Sequence, residues 1–142
     1  MLKSTTTFSL MVISIFLISC KSEVTQKWEE TMKIHDEVML KMEYTSEMSR
    51  KISGLLEHGQ KADSTSILFQ NQDTLRQAIE ILEQADIEMM DWMANIQKPR
   101  KGDDQDSIIQ YLEDEKIAIL VVGDHMNAAI KNAQGVISSL EK

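Results

Sequence analysis

Four kinds of residue are scarce in this 142-residue chain, which has one cysteine, one proline, five glycines and only 5% aromatic residues. A single cysteine excludes a framework of disulfide bonds within the chain. So few glycines, prolines and aromatic side chains disfavour an all-β domain. Basic residues are also outnumbered, with 15 against 23 acidic residues, and the net charge of −8 argues against a nucleic-acid partner. The abundant residue types, among them Glu, Gln, Lys, Met, Leu and Ala, favour helices.

The longest apolar run lies near the beginning of the chain. Lys3 precedes residues 10–18, which are apolar except for Ser14, and this pattern is typical of a secretory signal. The run is too short to cross a bilayer, which takes about 20 residues in a helix. It ends in the residues LISC at 17–20, which resemble the lipobox cleaved by the lipoprotein signal peptidase.

This resemblance implies that residues 1–19 form a cleaved signal peptide and that Cys20 carries diacylglycerol and an acyl group such as palmitate. Two or more acyl chains hold a protein stably on a bilayer. Lys21, rather than aspartate, follows the cysteine, which by the usual sorting rule favours the outer membrane. The expected location is therefore the bacterial cell envelope. A secreted protein with an incidental cysteine and an uncleaved anchor are the alternatives.

The remainder of the chain, residues 24–142, contains three long stretches in which apolar residues recur at spacings of three and four. They cover residues 24–56, 68–96 and 108–140. This spacing is typical of amphipathic helices. Helices of similar length joined by short connections pack as antiparallel neighbours. The sequence predicts an all-α fold, an antiparallel up-down-up three-helix bundle, following a lipidated N-terminus and short linker at residues 20–23.

Local signals predict where these helices begin and end. Gly59 is a predicted C-cap of the first helix, and Asp63 or Ser64 is a predicted N-cap of the second. Pro99 follows the second helix, since proline cannot continue a helix. Residues 102–106, a glycine and three acids among them, predict a loop and an acidic first turn for the third helix.

One histidine and its predicted neighbours suggest a metal site. His35 falls on the apolar stripe of the first helix, and counting helical levels places Asp86 and Glu115 beside it. Such a cluster is suited to metal binding or proton transfer. Met39 and Met42 add two thioethers on the same helix, and thioethers select Cu(I). The interpretation that we favour is a core histidine held by one carboxylate, with methionines that fill the core, and a metal site is the alternative.

A second candidate is a partner-binding surface on the second helix. Met89, Met90, Trp92 and Met93 span nearly a full turn, so they cannot all face inward. We expect Met90 or Trp92 to be partly exposed and to offer an apolar contact to a partner. The alternative is a second packing face against the third helix.

Three basic residues, Lys98, Arg100 and Lys101, surround Pro99. In an up-down-up bundle this loop lies at the same end as Cys20, where basic side chains are suited to anionic headgroups. Three acids follow at once, so an ordinary solvated loop is the alternative.

The residues HDEVM at 35–39 and MMDWM at 89–93, with Pro99 shortly after, resemble small helical bacterial lipoproteins, some of which are labelled "viral A-type inclusion protein". The resemblance implies long helices and an anchored bundle, and it implies no activity. The chain has no glycine-rich phosphate loop, nucleophile elbow or cysteine-based metal motif, so neither an enzyme nor a resident cofactor is expected. The leading hypothesis is a non-enzymatic interaction module that docks an envelope protein or a second copy of itself. A copper or other metal-binding envelope protein is the alternative.

Overall fold

A computed structural model of the chain describes residues 22–141, which are all-helical. The helices are α1 (Glu23–Lys61), α2 (Ile67–Gln70), α3 (Gln72–Asn95) and α4 (Gln105–Leu140). The three long helices all contact one another, and α2 packs against α1. The predicted all-α class is confirmed, with a fourth, single-turn helix that the sequence pattern did not indicate. The predicted signal peptide and Cys20 lie outside the described residues.

Two of the long helices begin with side-chain caps. The Ser22 Oγ accepts a hydrogen bond from the Thr25 N–H at 3.3 Å, so α1 starts at Glu23, inside the predicted linker 20–23. The Asp104 carboxylate accepts bonds from the N–H and hydroxyl of Ser107 at 3.0 and 2.6 Å. The bonds from the backbone N–H groups satisfy donors that the first turn of a helix leaves unpaired. The two bonds from Ser107 also lower the pKa of Asp104. The predicted acidic start of this helix is confirmed.

Gly59 is not the C-cap that the sequence predicts. Helix α1 continues to Lys61, and its C-cap is Ala62, whose N–H bonds to the Gly59 carbonyl at 3.3 Å. Gly59 is buried, and a Cβ atom at this position would lie 2.8 Å from the backbone oxygen of Leu68. The residue is small because the returning chain passes directly over it.

The second long helix also begins later than predicted. The Asp63 carboxylate accepts a bond from the Thr65 N–H at 3.2 Å and thus forms a turn. Neither Asp63 nor Ser64 caps a helix, because the chain first forms α2, and α3 begins only at Gln72. Bonds of this local kind compete with helix formation in aspartate-rich and serine-rich segments.

Buried positions repeat every seven residues in all three long helices. The series are Thr31, Val38, Thr45, Ile52 and Gly59 on α1, Leu75, Leu82 and Met89 on α3, and Leu112, Ile119, Met126 and Ala133 on α4. A seven-residue repeat is typical of helices that wind around one another with a left-handed supercoil. The core lies where the three series meet.

Side-chain pairs show that α1 and α4 run in the same direction. Their members are separated by a constant 86 positions: Lys27–Glu113, Glu30–Lys116 and Lys41–Asn127. The hydrogen bond between Lys27 and Glu113 raises the pKa of the lysine and lowers that of the glutamate. The two helices approach closely where Gly123 meets Val38, since a Cβ atom at Gly123 would lie 2.9 Å from a valine methyl carbon.

Helix α3 runs in the opposite direction to α1. His35 of α1 contacts Trp92, and Thr45, further along α1, bonds to Asp86, which comes earlier in α3. At 1.5 Å per residue, the 39 residues of α1 span about 58 Å. None of the helices within residues 22–141 is both long and apolar enough to cross a membrane.

Candidate functional site

His35 stacks on an aromatic ring at the edge of the core. Its ring centroid lies 5.6 Å from that of Trp92, with 27° between the ring planes. The Nδ1 atom of His35 lies 3.0 Å from the carboxylate of Asp36, the next residue in the chain. The histidine side chain is 14% exposed. This arrangement corresponds to the favoured interpretation of a packed histidine next to one carboxylate.

The predicted carboxylates do not meet His35. Asp86 accepts a 2.6 Å hydrogen bond from the hydroxyl of Thr45, which lies about 15 Å further along α1 than His35 at 1.5 Å per residue. Glu115 is a neighbour of Tyr111 instead: burial raises the pKa of Tyr111, and the nearby Glu115 carboxylate raises it further. The expected placement of both acids beside His35 is therefore wrong.

The two candidate methionine ligands on α1 take part in packing. Met39 and Met42 are partly buried and lie against the apolar core, which is the core-filling role that methionine commonly has. Across residues 22–141, no group of three or more His, Cys, Asp or Glu side chains is arranged to hold a metal ion. Because Asp86 is bonded to Thr45 and Glu115 lies beside Tyr111, the five candidates His35, Met39, Met42, Asp86 and Glu115 do not form one constellation.

Replacing His35 with leucine tests which role the histidine has. We expect the free energy of unfolding to stay within about 1 kcal/mol of wild type or to rise, because leucine keeps the apolar contact with Trp92. Asp36, the partner to which it is bonded, is 80% exposed and is solvated without it. Urea denaturation measures the change. A wild-type melting temperature that rises with Cu(I), and a variant that does not respond, would instead support the metal-binding alternative.

The predicted partner residues on α3 have different surroundings. Met90 is 54% exposed, whereas Trp92 is 8% exposed and belongs to the core. The indole Nε1 of Trp92 is buried without a hydrogen-bond partner in the described part of the chain. Met90 thus confirms that one of the two is exposed. Trp92 is not the exposed residue of the two, because the bundle already covers it.

A larger exposed apolar surface was not predicted from the sequence. On α4, Ile117, Leu120 and Val121 are 60%, 48% and 46% exposed, and on α1, Leu40 and Tyr44 are 66% and 56% exposed. The spacings of three and four place each set on one face of its helix. These five residues are called the α1–α4 apolar surface below. The uninterrupted apolar run IAILVV at 117–122 was its signal, since an amphipathic stripe alone does not need consecutive apolar residues.

The α1–α4 apolar surface borders the groove between the two parallel helices. Lys116 and Asn127 are bonded to α1, and the helical period places Leu120 between them on the same edge of α4. On the other side of the groove, Lys41 is bonded to α4, and Tyr44 follows one turn later. Leu120 and Tyr44 therefore lie on the two edges of the groove, about 15 Å apart along its length, because the separation of 86 positions places Tyr44 level with Ile130.

A cavity of about 630 Å³ lies at the end of the bundle where α1 and α4 begin. The first turns of both helices line it, together with Trp28 and the loop that connects α3 to α4. The three basic residues Lys98, Arg100 and Lys101 all belong to this lining. We call it the basal cavity.

No protein-family model matches this chain, and neither the characterised proteins nor the solved structures compared with it show a significant similarity. The resemblance of residues 35–39 and 89–93 to small helical lipoproteins therefore stays a prediction. The α1–α4 apolar surface and the basal cavity are the two features that indicate a function.

Proposed function

We propose that this chain is a lipid-anchored protein of the bacterial cell envelope that acts as a non-enzymatic interaction module. In this proposal residues 1–19 are removed, Cys20 carries the lipid, and Lys21 directs the protein to the outer membrane. The three long helices form an up-down-up bundle, with α2 in its first connection. The α1–α4 apolar surface is the observation that supports a docking role.

The composition of this surface is suited to a protein partner. A soluble monomer rarely leaves a large contiguous apolar patch exposed, and such patches mark interaction sites when polar residues surround them. Here the polar pairs Glu30–Lys116 and Lys41–Asn127 lie along the same groove. An amphipathic helix of another envelope protein, or of a second copy, would bury Leu120 and Tyr44 between its own apolar side chains. The metal-binding alternative has less support, because Asp86 and Glu115 lie away from His35.

Cross-linking in intact cells tests this proposal. Tagged wild type is compared with a variant in which Leu120 and Val121 are both changed to glutamine. We expect the amount of the cross-linked partner to fall at least about tenfold, which corresponds to about 1.4 kcal/mol for the two central apolar residues together. The matched control changes Ile81 and Ile87, two exposed isoleucines on α3, to glutamine and should recover the partner as wild type does.

The anchor is tested in parallel by Cys20→Ala. We expect this variant to lack the acyl chains in an intact-mass measurement and to leave the membrane fraction. A partner that is recovered equally with both double variants does not bind the α1–α4 apolar surface, and that result contradicts the docking site. A wild-type chain that lacks acyl chains contradicts the anchor.

A further inference from the structure

The basal cavity gathers positive charge in an acidic protein. Lys98, Arg100 and Lys101 are exposed side chains that line it. None of the three forms an ion pair with any residue in 22–141. Two acids, Glu29 and Asp103, also belong to the lining, so its charged residues carry a net +1, whereas the whole chain carries −8. The cavity is thus positive relative to the rest of the protein.

Hydrogen bonds hold the acids of this loop in structural roles. The Asp103 carboxylate accepts a 2.7 Å bond from the backbone N–H of Arg100, and Asp104 caps α4. Gly102 lies in the turn between Arg100 and Asp103 and has a φ of +100°, a conformation that glycine adopts without strain. The acids therefore shape the loop that surrounds the cavity, and the three basic side chains stay available to a ligand.

Two helix ends also face the cavity, and the acids Glu23, Asp104 and Asp106 at these ends offset part of their positive charge. Val24 and Thr25 in the first turn of α1 and Gln105 in the first turn of α4 line the cavity. Because α1 and α4 are parallel, their N-termini lie at the same end, and each carries a partial positive charge. Helix ends of this kind favour phosphate groups, and here they supplement three basic side chains.

Two features connect this cavity to a membrane surface. Ser22, which lines it, lies two residues after Cys20, and two residues span at most about 7 Å. A lipid on Cys20 therefore places the headgroup layer next to the cavity. Trp28 also lines it, and tryptophan is enriched where apolar and polar layers of a membrane meet.

We propose that the basal cavity binds the phosphate group of an anionic lipid headgroup in the membrane to which the chain is anchored. This inference rests on the lipid anchor at Cys20 from the proposed function. The three basic side chains contact the phosphate and Trp28 contacts the glycerol region. Binding there fixes the orientation of the bundle relative to the bilayer, with α1 and α4 rising from the surface.

A lipid titration tests the inference. Lipidated protein that carries Trp92→Phe, so that Trp28 is the remaining tryptophan, is titrated in neutral detergent with short-chain phosphatidylglycerol, phosphatidylcholine and inorganic phosphate. The fluorescence of Trp28 then reports binding. We expect phosphatidylglycerol to bind at least about tenfold more tightly than phosphatidylcholine. The variant Lys98→Gln/Arg100→Gln/Lys101→Gln should bind phosphatidylglycerol about 100-fold more weakly, since each basic residue near an anionic surface contributes about a fivefold factor.

The control is the variant Lys33→Gln/Arg50→Gln/Lys131→Gln, which removes the same three charges from exposed positions that form no ion pair within residues 22–141. It should change the phosphatidylglycerol affinity less than about threefold, because the cavity keeps its local charges. Equal losses in both triple variants would overturn the site in favour of diffuse attraction. Inorganic phosphate that binds as tightly as phosphatidylglycerol would overturn the lipid assignment.

The two proposals fail in different ways. Acylation of Cys20 is read from the intact mass, and docking from the recovered partner. An acylated, partner-binding protein that shows no preference for phosphatidylglycerol overturns the headgroup site and leaves the interaction module in place. A chain without acyl groups overturns the anchor and, with it, the premise of the headgroup site.

Discussion

Replacing Trp92 with alanine is expected to lower the free energy of unfolding by about 3–5 kcal/mol, the usual cost of removing a large aromatic side chain from a core. Trp92 is 8% exposed and packs within the buried cluster. It also provides the face on which His35 stacks. Urea denaturation followed by far-ultraviolet circular dichroism measures the loss. Trp92→Phe should lose much less, because it keeps a stacking ring and removes the buried, unpaired Nε1–H.

The matched control on the same helix is Met90→Ala. Met90 is 54% exposed, so its truncation should change the free energy of unfolding by at most about 0.5 kcal/mol. A Trp92→Ala variant as stable as Met90→Ala would contradict the core position of the tryptophan. It would also restore Trp92 as a candidate for partner binding.

Replacing Gly59 with alanine is expected to cost about 2 kcal/mol, the middle of the range for overpacked sites. The added Cβ would lie 2.8 Å from the backbone oxygen of Leu68 and 3.0 Å from its carbonyl carbon. Backbone atoms cannot turn away as a side chain can, so α2 would have to move from α1. Thermal and urea denaturation both measure this effect.

Gly54 on the same helix provides the control. No atom outside its own helix lies within 4 Å of a Cβ built there. Gly54→Ala should therefore raise the free energy of unfolding by about 0.5–1 kcal/mol, because alanine favours the helix. If both substitutions stabilise the protein equally, the close approach of Leu68 to Gly59 is contradicted.

Features that depend on neighbouring residues in the sequence were the most predictable. The three long helices follow from apolar residues at spacings of three and four, and the acidic start of α4 follows from local capping chemistry at Asp104. The role of Gly59 could not be predicted in the same way. It depends on where Leu68 returns after the turn at Asp63, and that position is set by tertiary packing.

The predicted metal cluster failed for a reason of register. Counting levels placed Asp86 opposite His35, whereas the structure places Trp92 there, six residues further along α3. The shift arises because α3 starts only at Gln72, after α2 has used part of the chain that was assigned to the second helix. The exposed α1–α4 apolar surface was missed because a stripe of apolar residues does not reveal which of its edges a neighbour leaves uncovered.

The constant separation of 86 positions between paired residues of α1 and α4 also determines the order in which the protein can fold. Closing a loop of this length costs about 4 kcal/mol of chain entropy before any contact offsets it. The pairs Thr45–Asp86 and Glu88–His125 close loops of only 41 and 37 positions, so the α1–α3 and α3–α4 hairpins are both expected to form before α1 and α4 pair. The groove between α1 and α4 does not exist until these two helices pair, so the surface proposed for docking is completed last.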